Sequence, residues 1–165
     1  MPLLFHRLGT LTAPAVVAGA ARVASPQDPA DLDLLARWWF EFEQETGANA
    51  HAAATAPEPE VVLRGAARGQ VVIIWSDREQ PVAAAAHTPV RDGSARIAPV
   101  YTPRQFRRRG YGSAVTAAAV RSAQTLGATE VSLFTDATYE PANAVYRGLG
   151  FSVVAEFAEF EIPTR

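Results

Sequence analysis

The chain has 165 residues, of which 48% are hydrophobic and 19% are charged, a composition typical of one globular domain and not of a disordered chain. Its formal net charge is −2, so no general positive field attracts nucleic acid, and we expect no nucleic-acid partner. It contains no cysteine, which excludes disulfides, thiol nucleophiles and metal sites built on cysteine.

The N-terminal residues are predicted to lie outside the folded domain. We assign residues 1–18 to an extension or linker and residues 19–165 to one domain, although Leu3 to Leu8 is apolar enough for a short strand. The start of the chain partly resembles a secretory signal, but glycine, threonine and proline interrupt its apolar stretch. No run reaches the roughly 18 apolar residues of a membrane span, so we expect no membrane partner. The lack of cysteine fits a cytoplasmic protein.

A short strand and two helices are predicted next. Ala20 to Ala24 (AARVA) is the predicted strand. The first helix starts near Asp28 or Asp31, either of which can cap it, and Gly47 suits its end. A shorter helix is predicted from Glu58 to Arg68. Apolar residues recur at helical spacing along the first helix and predict its buried face: Leu32, Leu35, Trp39 and Phe42.

The middle of the chain predicts three antiparallel strands. These are QVVIIWS, PVAAAAHTPV and SARIAPVYT, which the turn sequences DREQ and RDG separate. We therefore expect a β-meander over residues 70–102. Because Pro99 has no N–H group, it interrupts the ladder of the third strand or marks a bulge there.

The C-terminal part predicts alternating helices and strands. An alanine-rich helix from Gly110 to Leu126 precedes a strand from Glu130 to Asp136, a short helix from Pro141 to Gly150 and a last strand from Phe151 to Ile162. A strand–helix–strand crossover after the meander implies parallel pairing, so the sheet is expected to be mixed. The predicted fold class is therefore α+β (α/β), with a mixed central sheet, an antiparallel meander and flanking helices.

The stretch QFRRRGYGSA, residues 105–114, combines three arginines with two glycines at the start of a predicted helix. The first turn of a helix has free N–H groups and the positive end of the helix dipole, which together bind anions. Gly110 and Gly112 allow close approach to a phosphate, and arginine adds forked donors. The stretch fits neither the Walker loop nor the dinucleotide fingerprint, and a solvated basic turn is the alternative interpretation.

Together with a second stretch, these residues resemble a known enzyme family. RRRGYG resembles motif A of the GNAT superfamily of acetyl-CoA-dependent N-acetyltransferases, with Arg107, Gly110 and Gly112 at its defining positions. NAVYRGLGF, residues 143–151, resembles the family's motif B. The order of elements is similar over roughly residues 19–165. The resemblance implies the acyl-CoA N-acyltransferase (GNAT) fold and acetyl-CoA (coenzyme A) as the cofactor.

The resemblance also implies where the cofactor lies. In such enzymes the pyrophosphate of coenzyme A lies on the backbone amides of the motif A turn, here Arg107, Arg108, Arg109, Gly110, Tyr111, Gly112 and Ser113. The pantetheine arm inserts beside the preceding strand, where it splays from its parallel neighbour, here at Val100, Tyr101 and Thr102. The Val100 N–H is also expected to polarise the thioester carbonyl.

Motif B contributes two polar residues. Asn143 and Tyr146 are three residues apart and therefore share a face of the predicted helix. The resemblance implies that Asn143 binds the pantetheine amides and that Tyr146 donates a proton to the departing thiolate. The alternative is that Asn143 lies on the surface and Tyr146 fills the core.

The sequence does not identify a general base. SARIAPVYT carries no Asp or Glu, although many relatives have a carboxylate on this strand. His87 and Asp136 are the candidates that the sequence offers, and a water chain or an already neutral amine would need no dedicated base. His6, His51 and His87 are too far apart for metal-ligand spacing, so no metal site is expected.

The implied function is transfer of an acetyl group from acetyl-CoA to a primary amine by direct attack in a ternary complex, since no cysteine can carry the acyl group. The acceptor is a small-molecule or peptide amine that the sequence does not identify. A catalytically weak or inactive coenzyme A-binding or partner module is the alternative function, and a homodimer is left open. The residues that either shape the acceptor pocket or fill the core are Trp38, Trp39, Phe42, Glu43 and Trp75.

Overall fold

The computed structural model describes residues 2–47 and 54–158, which form seven strands and four α-helices. The strands are Pro2–Leu8 (β1), Ala20–Val23 (β2), Val71–Asp77 (β3), Gln80–His87 (β4), Ser94–Tyr101 (β5), Glu130–Asp136 (β6) and Phe151–Ala158 (β7). The helices are Pro29–Thr46 (α1), Pro59–Ala67 (α2), Tyr111–Thr125 (α3) and Glu140–Leu149 (α4). β1 lies in the predicted extension, and the other elements match those predicted from the sequence. Residues 159–162 of the predicted last strand lie outside the described residues.

The seven strands form one mixed sheet in the order β2-β3-β4-β5-β6-β1-β7. The predicted meander is confirmed, since β3 pairs antiparallel with β4 and β4 pairs antiparallel with β5. The predicted crossover is confirmed as well, because β5 and β6 are parallel and α3 connects them. The fold class is therefore α+β with a mixed central sheet and flanking helices. Within the described ranges, no helix has the length and apolar character needed to cross a membrane.

The core is divided between the two faces of the sheet, because successive side chains of a strand point to opposite faces. Ile73, Ala83 and Ala85 belong to the cluster beneath α3 and α4. Ile74, Ala84 and Ala86 belong to the cluster beneath α1 and α2. The four consecutive alanines of β4 are fully buried, so helices cover this strand on both sides.

The ends of α1 coincide with its local sequence signals. Asp28 caps the helix by accepting a hydrogen bond from a first-turn N–H at 2.9 Å, and Pro29 occupies the first turn. Gly47 ends the helix at a left-handed φ of 66°. Asp31, the other candidate cap, instead pairs with Arg22 of β2 through hydrogen bonds of 2.6 and 2.7 Å. Of the predicted buried face, Leu35 and Trp39 are buried and Leu32 and Phe42 are partly buried. Ala36 and Trp38 are buried as well.

β1 is an inner strand of the sheet, which corrects the expectation that residues 1–18 are an extension. It pairs antiparallel with β6 on one side and with β7 on the other. His6, for example, lies opposite Leu133 of β6 and Val153 of β7. The apolar pattern of Leu3 to Leu8 predicted a strand, but nothing local specifies partners so distant in the chain. These residues therefore belong to the same folded unit as the rest of the sheet.

The segment from Gly9 to Gly19 fits the predicted linker, since it contains no helix or strand before β2. Its start is fixed by the Gly9 N–H, which donates to the Gly150 carbonyl at 3.0 Å. Its end is fixed by the Trp75 indole N–H, which donates to the Ala18 carbonyl at 3.0 Å. Trp75 therefore holds the linker against the end of β3 and is not free to shape an acceptor pocket through its indole N–H.

Candidate active site

β5 and β6 are parallel neighbours that pair over only part of their length. Their register runs from Ser94 opposite Glu130 to Arg96 opposite Ser132. β5 continues to Tyr101 and β6 continues to Asp136, but the two strands do not pair beyond Arg96 and Ser132. The sheet therefore opens between the carboxyl halves of these strands. An extended ligand can enter such an opening and pair with the freed backbone groups.

A bulge in β5 accompanies this opening. Ala85 of β4 lies opposite Val100, whereas His87 lies opposite Ile97, so three steps along β5 match two steps along β4. The extra residue falls at the Ala98–Pro99 peptide bond, which is cis. The predicted bulge at Pro99 is therefore confirmed, and it turns the end of β5 away from β6.

The motif A turn leads directly into α3 at the open end of β5. Gly110 precedes the helix at a left-handed φ of 83°, a conformation that favours glycine. The Ala114 N–H makes the first α-helical hydrogen bond, to the Gly110 carbonyl at 3.1 Å. The N–H groups of Tyr111, Gly112 and Ser113 therefore form the first turn, where helix N–H groups have no intrahelical partner. This is the geometry that binds a phosphate.

The side chains around this turn have different partners. The Tyr111 hydroxyl donates to the Asp77 carboxylate at 2.5 Å, and the side chain is buried, so it ties the start of α3 to the end of β3. Its predicted cofactor contact is therefore left to its backbone N–H. A Cβ atom added at Gly112 would lie 3.6 Å from Thr102 Oγ1, an ordinary contact, so protein packing alone does not require glycine there.

The three arginines of the turn are not equivalent. Arg107 donates to the Thr102 carbonyl at 2.8 Å and to the Glu45 carboxylate at 2.5 Å, which fixes it against α1. Arg108 and Arg109 are exposed, and Arg108 has a φ of 63°. The phosphate contacts predicted for all three arginines stay predictions. The contacts of Arg107 give it a structural role that the sequence did not indicate.

Arg107 and Arg108 are expected to respond differently to substitution. Arg107→Ala loses a hydrogen bond and a partly exposed ion pair, so it should lower the free energy of unfolding by about 1 kcal/mol. Arg108→Ala should leave unfolding unchanged and weaken acetyl-CoA binding about fivefold, more at low salt than at high salt. Thermal melting and calorimetric titration at two salt concentrations measure both effects. The reverse pattern would assign the phosphate contact to Arg107.

Tyr101 directs its side chain to the face of the sheet that α1 covers. The ring is buried against Trp38 and Phe42, and its hydroxyl donates to the Glu41 carboxylate at 2.8 Å. Burial, and then the nearby carboxylates of Glu41 and Glu45, raise the pKa of the Tyr101 phenol well above its usual range. Only the backbone of Tyr101 is thus left for the predicted pantetheine contact. Trp38 is therefore part of the core and Phe42 packs against it, which is the core alternative that the sequence left open for these residues.

Glu41 and Glu45 are the functional candidates that sequence reasoning missed. They lie one turn apart on α1. Glu41 accepts from Tyr101, which lies 60 residues later in the chain, and Glu45 accepts from Arg107, which lies 62 residues later. Partial burial raises the pKa of Glu45, but its hydrogen bond to Arg107 and the nearby charges outweigh this and lower it. Glu41 is exposed at the open end of β5. The i, i+4 spacing was visible in the sequence, but nothing local connected it to motif A.

α4 places Asn143 and Tyr146 on its sheet-facing side. Asn143 is 2% exposed, and its Oδ1 accepts from the Thr135 hydroxyl at 2.5 Å while its Nδ2 donates to the Asp136 carbonyl at 3.2 Å. The surface alternative for Asn143 is therefore wrong. Its contact with pantetheine stays a prediction, and the structure gives its side chain partners inside the protein.

Tyr146 is packed between two rings. Its centroid lies 6.3 Å from that of His6 and 6.1 Å from that of Phe151, both in edge-on arrangements. Burial raises the pKa of the Tyr146 phenol to about 12. The phenol therefore keeps its proton at neutral pH, which is the state that an acid requires.

The two bases suggested by the sequence have structural partners. His87 is fully buried on β4, with Nδ1 2.7 Å from the Thr88 carbonyl and Nε2 2.9 Å from Ser122 Oγ. Asp136 accepts from the hydroxyl and the N–H of Thr138, and these hydrogen bonds lower the pKa of its carboxyl. Neither geometry favours proton abstraction from an amine. His51 lies outside the described residues.

Comparison with known proteins adds a family to this geometry. A sequence profile of the acetyltransferase (GNAT) family matches residues 32–151. A GCN5-related N-acetyltransferase from Kribbella flavida is 29% identical with a TM-score of 0.63, over 94% of this chain and 55% of that protein. The chain thus spans about half the length of that relative. No curated protein matches the sequence significantly.

Two further structures share the fold at lower identity. An aminoglycoside acetyltransferase from an uncultured soil metagenomic sample, solved with sisomicin, is 14% identical with a TM-score of 0.69, over 89% of this chain and 97% of that one. A ribosomal-protein-alanine N-acetyltransferase from Brucella melitensis is 20% identical with a TM-score of 0.64, over 79% of this chain and 83% of that one. At these identities the likeness concerns the fold alone.

Proposed function

Because the chain belongs to the acetyltransferase (GNAT) family, we propose that it transfers the acetyl group of acetyl-CoA to a primary amine by direct attack in a ternary complex. The observation that carries the proposal is the opening between β5 and β6, which ends at the motif A turn before α3. A cytoplasmic location is part of the same proposal. Acetyl-CoA supplies the activated thioester when bound.

The residues of the opening fit coenzyme A. The first-turn N–H groups of α3, from Tyr111 to Ser113, would hold the pyrophosphate, and the exposed Arg108 and Arg109 would add positive charge. The backbone of Val100 and Thr102, which does not pair with β6, would accompany the pantetheine arm.

Two groups of this chain would act on the reacting atoms. The Val100 N–H would donate to the carbonyl oxygen as negative charge develops on it. As the N–C bond to the amine forms and the C–S bond breaks, Tyr146 Oη would give its proton to the departing sulfur. The phenol is suited to this role because burial keeps it protonated until the thiolate forms.

The proton of the incoming ammonium requires a second group, and Glu41 is the best placed one. It is an exposed carboxylate beside the end of β5, held by the Tyr101 hydroxyl at 2.8 Å. Glu45 is less suited, because Arg107 already neutralises it. Glu41 would accept the proton from the ammonium as the amine enters the opening.

Glu41→Gln is therefore expected to lower kcat/KM for the amine about 100-fold near neutral pH, with little change in the Kd for acetyl-CoA. The loss should shrink as the pH approaches the pKa of the acceptor amine, because a neutral amine needs no base. Steady-state kinetics over a pH series measures this. Asp33→Asn, on the exposed face of the same helix, is the matched control. A loss that does not change with pH would contradict a base role.

The proposed acceptor is a small-molecule or peptide amine. The neighbours with this fold include one solved with sisomicin and one named for a ribosomal-protein alanine, so both small-molecule amines and peptide N-termini belong in a screen. The negative charge of Glu41 favours a cationic acceptor.

Two measurements test the proposed function. Calorimetric titration should show acetyl-CoA binding in the micromolar range, and a screen of amines should release free coenzyme A thiol with at least one acceptor. Absence of binding at high micromolar acetyl-CoA would refute the proposal. Binding without thiol release from any amine would favour the non-catalytic coenzyme A-binding module instead.

A further inference from the structure

A buried chain of three polar side chains connects three separate elements beneath α4. His6 of β1 is 0% exposed, Thr135 of β6 7% and Asn143 of α4 2%. His6 Nε2 lies 2.7 Å from Thr135 Oγ1, which lies 2.5 Å from Asn143 Oδ1. Asn143 Nδ2 in turn faces the carbonyl oxygens of Asp136 and Ala137, at 3.2 and 3.5 Å.

The two carbonyls fix the direction of every hydrogen bond in this chain. Carbonyl oxygens only accept, so the Asn143 amide must direct its NH2 group toward them and its Oδ1 toward Thr135. The single hydroxyl proton of Thr135 is then donated to Oδ1. Thr135 can only accept from His6, whose Nε2 must therefore carry the proton. The imidazole is thus held as the neutral Nε2–H tautomer, and its Nδ1 bears a lone pair.

The His6 ring is in direct contact with Tyr146. The two rings meet edge-on at 62°, and Tyr146 lies one turn after Asn143 on the same face of α4. His6 Nδ1 has no hydrogen-bond partner among the residues that the structure describes. A fully buried acceptor without a partner costs about 1–3 kcal/mol, so a role beyond packing explains why a histidine and not an apolar residue stands here.

We propose that His6 is a positioning residue for Tyr146: Thr135 and Asn143 fix the imidazole, and the imidazole fixes the ring that donates the proton. This inference rests on the proposed function, in which Tyr146 is the acid. The chain also fixes the rotation of α4, because Asn143 anchors the helix to the end of β6. A displacement of the phenol by about 1 Å can reduce turnover about 100-fold.

The position of His6 predicts an acid limit to activity. Burial, and then the charge of Arg147 on α4, lower the pKa of His6. The other titratable group that faces it from α4 is Tyr146, and the residues opposite it on β6 and β7, Leu133 and Val153, do not titrate. Protonation would place an N–H at Nδ1 in an apolar site. kcat should therefore fall only below about pH 6.5.

Nitrogen NMR of the cofactor-free protein tests the first half of this inference without any enzyme assay. Long-range ¹H–¹⁵N spectra distinguish a protonated from an unprotonated ring nitrogen. We expect His6 Nε2 to be protonated and Nδ1 unprotonated at pH 7 in the wild type. Thr135→Val should remove this preference, and Thr135→Ser should keep it. The opposite tautomer in the wild type would overturn the inference.

Kinetics of the same variants tests the second half. Thr135→Val should lower kcat about 10- to 100-fold with the KM for acetyl-CoA within twofold, and Thr135→Ser should restore most of it. His6→Gln keeps a donor toward Thr135 but removes the imidazole ring that contacts Tyr146, so it should lower kcat at least as much as Thr135→Val does, and the remaining activity should lose the acid limit. His87→Gln, in another fully buried histidine of the same sheet, should change neither.

The outcomes separate this inference from the proposed function. Wild-type kcat in a folded Thr135→Val variant would overturn the positioning role, even if Tyr146 is the acid. If the wild type proves inactive, the ¹³C resonances of Tyr146 in tyrosine-labelled protein decide instead. They should shift in Thr135→Val while those of Tyr101 stay unchanged, and unchanged Tyr146 resonances would refute the inference.

Discussion

Tyr146→Phe is expected to lower kcat by at least about 100-fold while leaving the Kd for acetyl-CoA within about twofold. The substitution removes one hydroxyl group and keeps the ring between His6 and Phe151. Without the phenol the sulfur must leave as a thiolate or take its proton from water, and the cost falls on the transition state alone. Stopped-flow turnover and calorimetric titration on the same preparation separate the two quantities.

The raised pKa of Tyr146 adds a condition on pH. The pKa of Tyr146 is about 12 in the folded protein and about 10 in the unfolded chain, so the phenol is protonated in both states at neutral pH. Wild-type activity should therefore show no tyrosine-dependent change below about pH 10. Stability that depends on burying a neutral phenol is present below that pH and is lost as the pH rises through the folded pKa. Tyr146→Phe should lose less stability there than the wild type does.

Tyr139→Phe is the matched control for this substitution. Tyr139 is 53% exposed at the residue that precedes α4, so Tyr139→Phe removes the same hydroxyl group from a ring that does not pack against His6 or Phe151. Its kcat should stay within about twofold of the wild type. If Tyr146→Phe reduced binding of acetyl-CoA as much as turnover, the residue would be structural and the acid would have to be sought elsewhere.

The elements of this fold were predictable wherever a local signal specifies them. The start and end of α1 follow from Asp28, Pro29 and Gly47, whose conformational preferences act within a few residues. The meander follows from alternating strand and turn sequences, and the bulge follows from the missing N–H of Pro99. The motif A turn was predictable for the same reason, since Gly110 is needed for its own left-handed φ.

The contacts that cross long stretches of chain were not predictable. β1 was taken for an extension because its partners on β6 and β7 are determined by the assembled sheet and not by neighbouring residues. The same holds for side chains. Arg107 was assigned to phosphate, whereas its contact with Glu45 depends on how α1 packs over β5. Asn143 was judged by its helical face, and that face turned out to be buried against Thr135.

Gly112→Ala is expected to weaken acetyl-CoA binding about 10- to 100-fold without lowering the melting temperature. A methyl group at this first-turn position would displace a phosphate oxygen from the N–H groups beneath it. Each charge-assisted hydrogen bond lost costs about 1.5–3 kcal/mol, which corresponds to that range in Kd. The protein itself has room, since the nearest atom to the added carbon is Thr102 Oγ1 at 3.6 Å.

Gly148→Ala gives this prediction its control, because it adds the same methyl group to another helix. Among the described residues, no atom outside the surrounding turns of α4 lies within 4 Å of a Cβ added at Gly148. Alanine also favours a helix interior over glycine by about 1 kcal/mol. Gly148→Ala should therefore melt at or above the wild-type temperature and bind acetyl-CoA normally. Gly112→Ala should differ from it in binding alone. The protein itself does not need the empty space beside Gly112. Unimpaired binding of acetyl-CoA by Gly112→Ala would therefore mean that the phosphates do not lie on the first turn of α3.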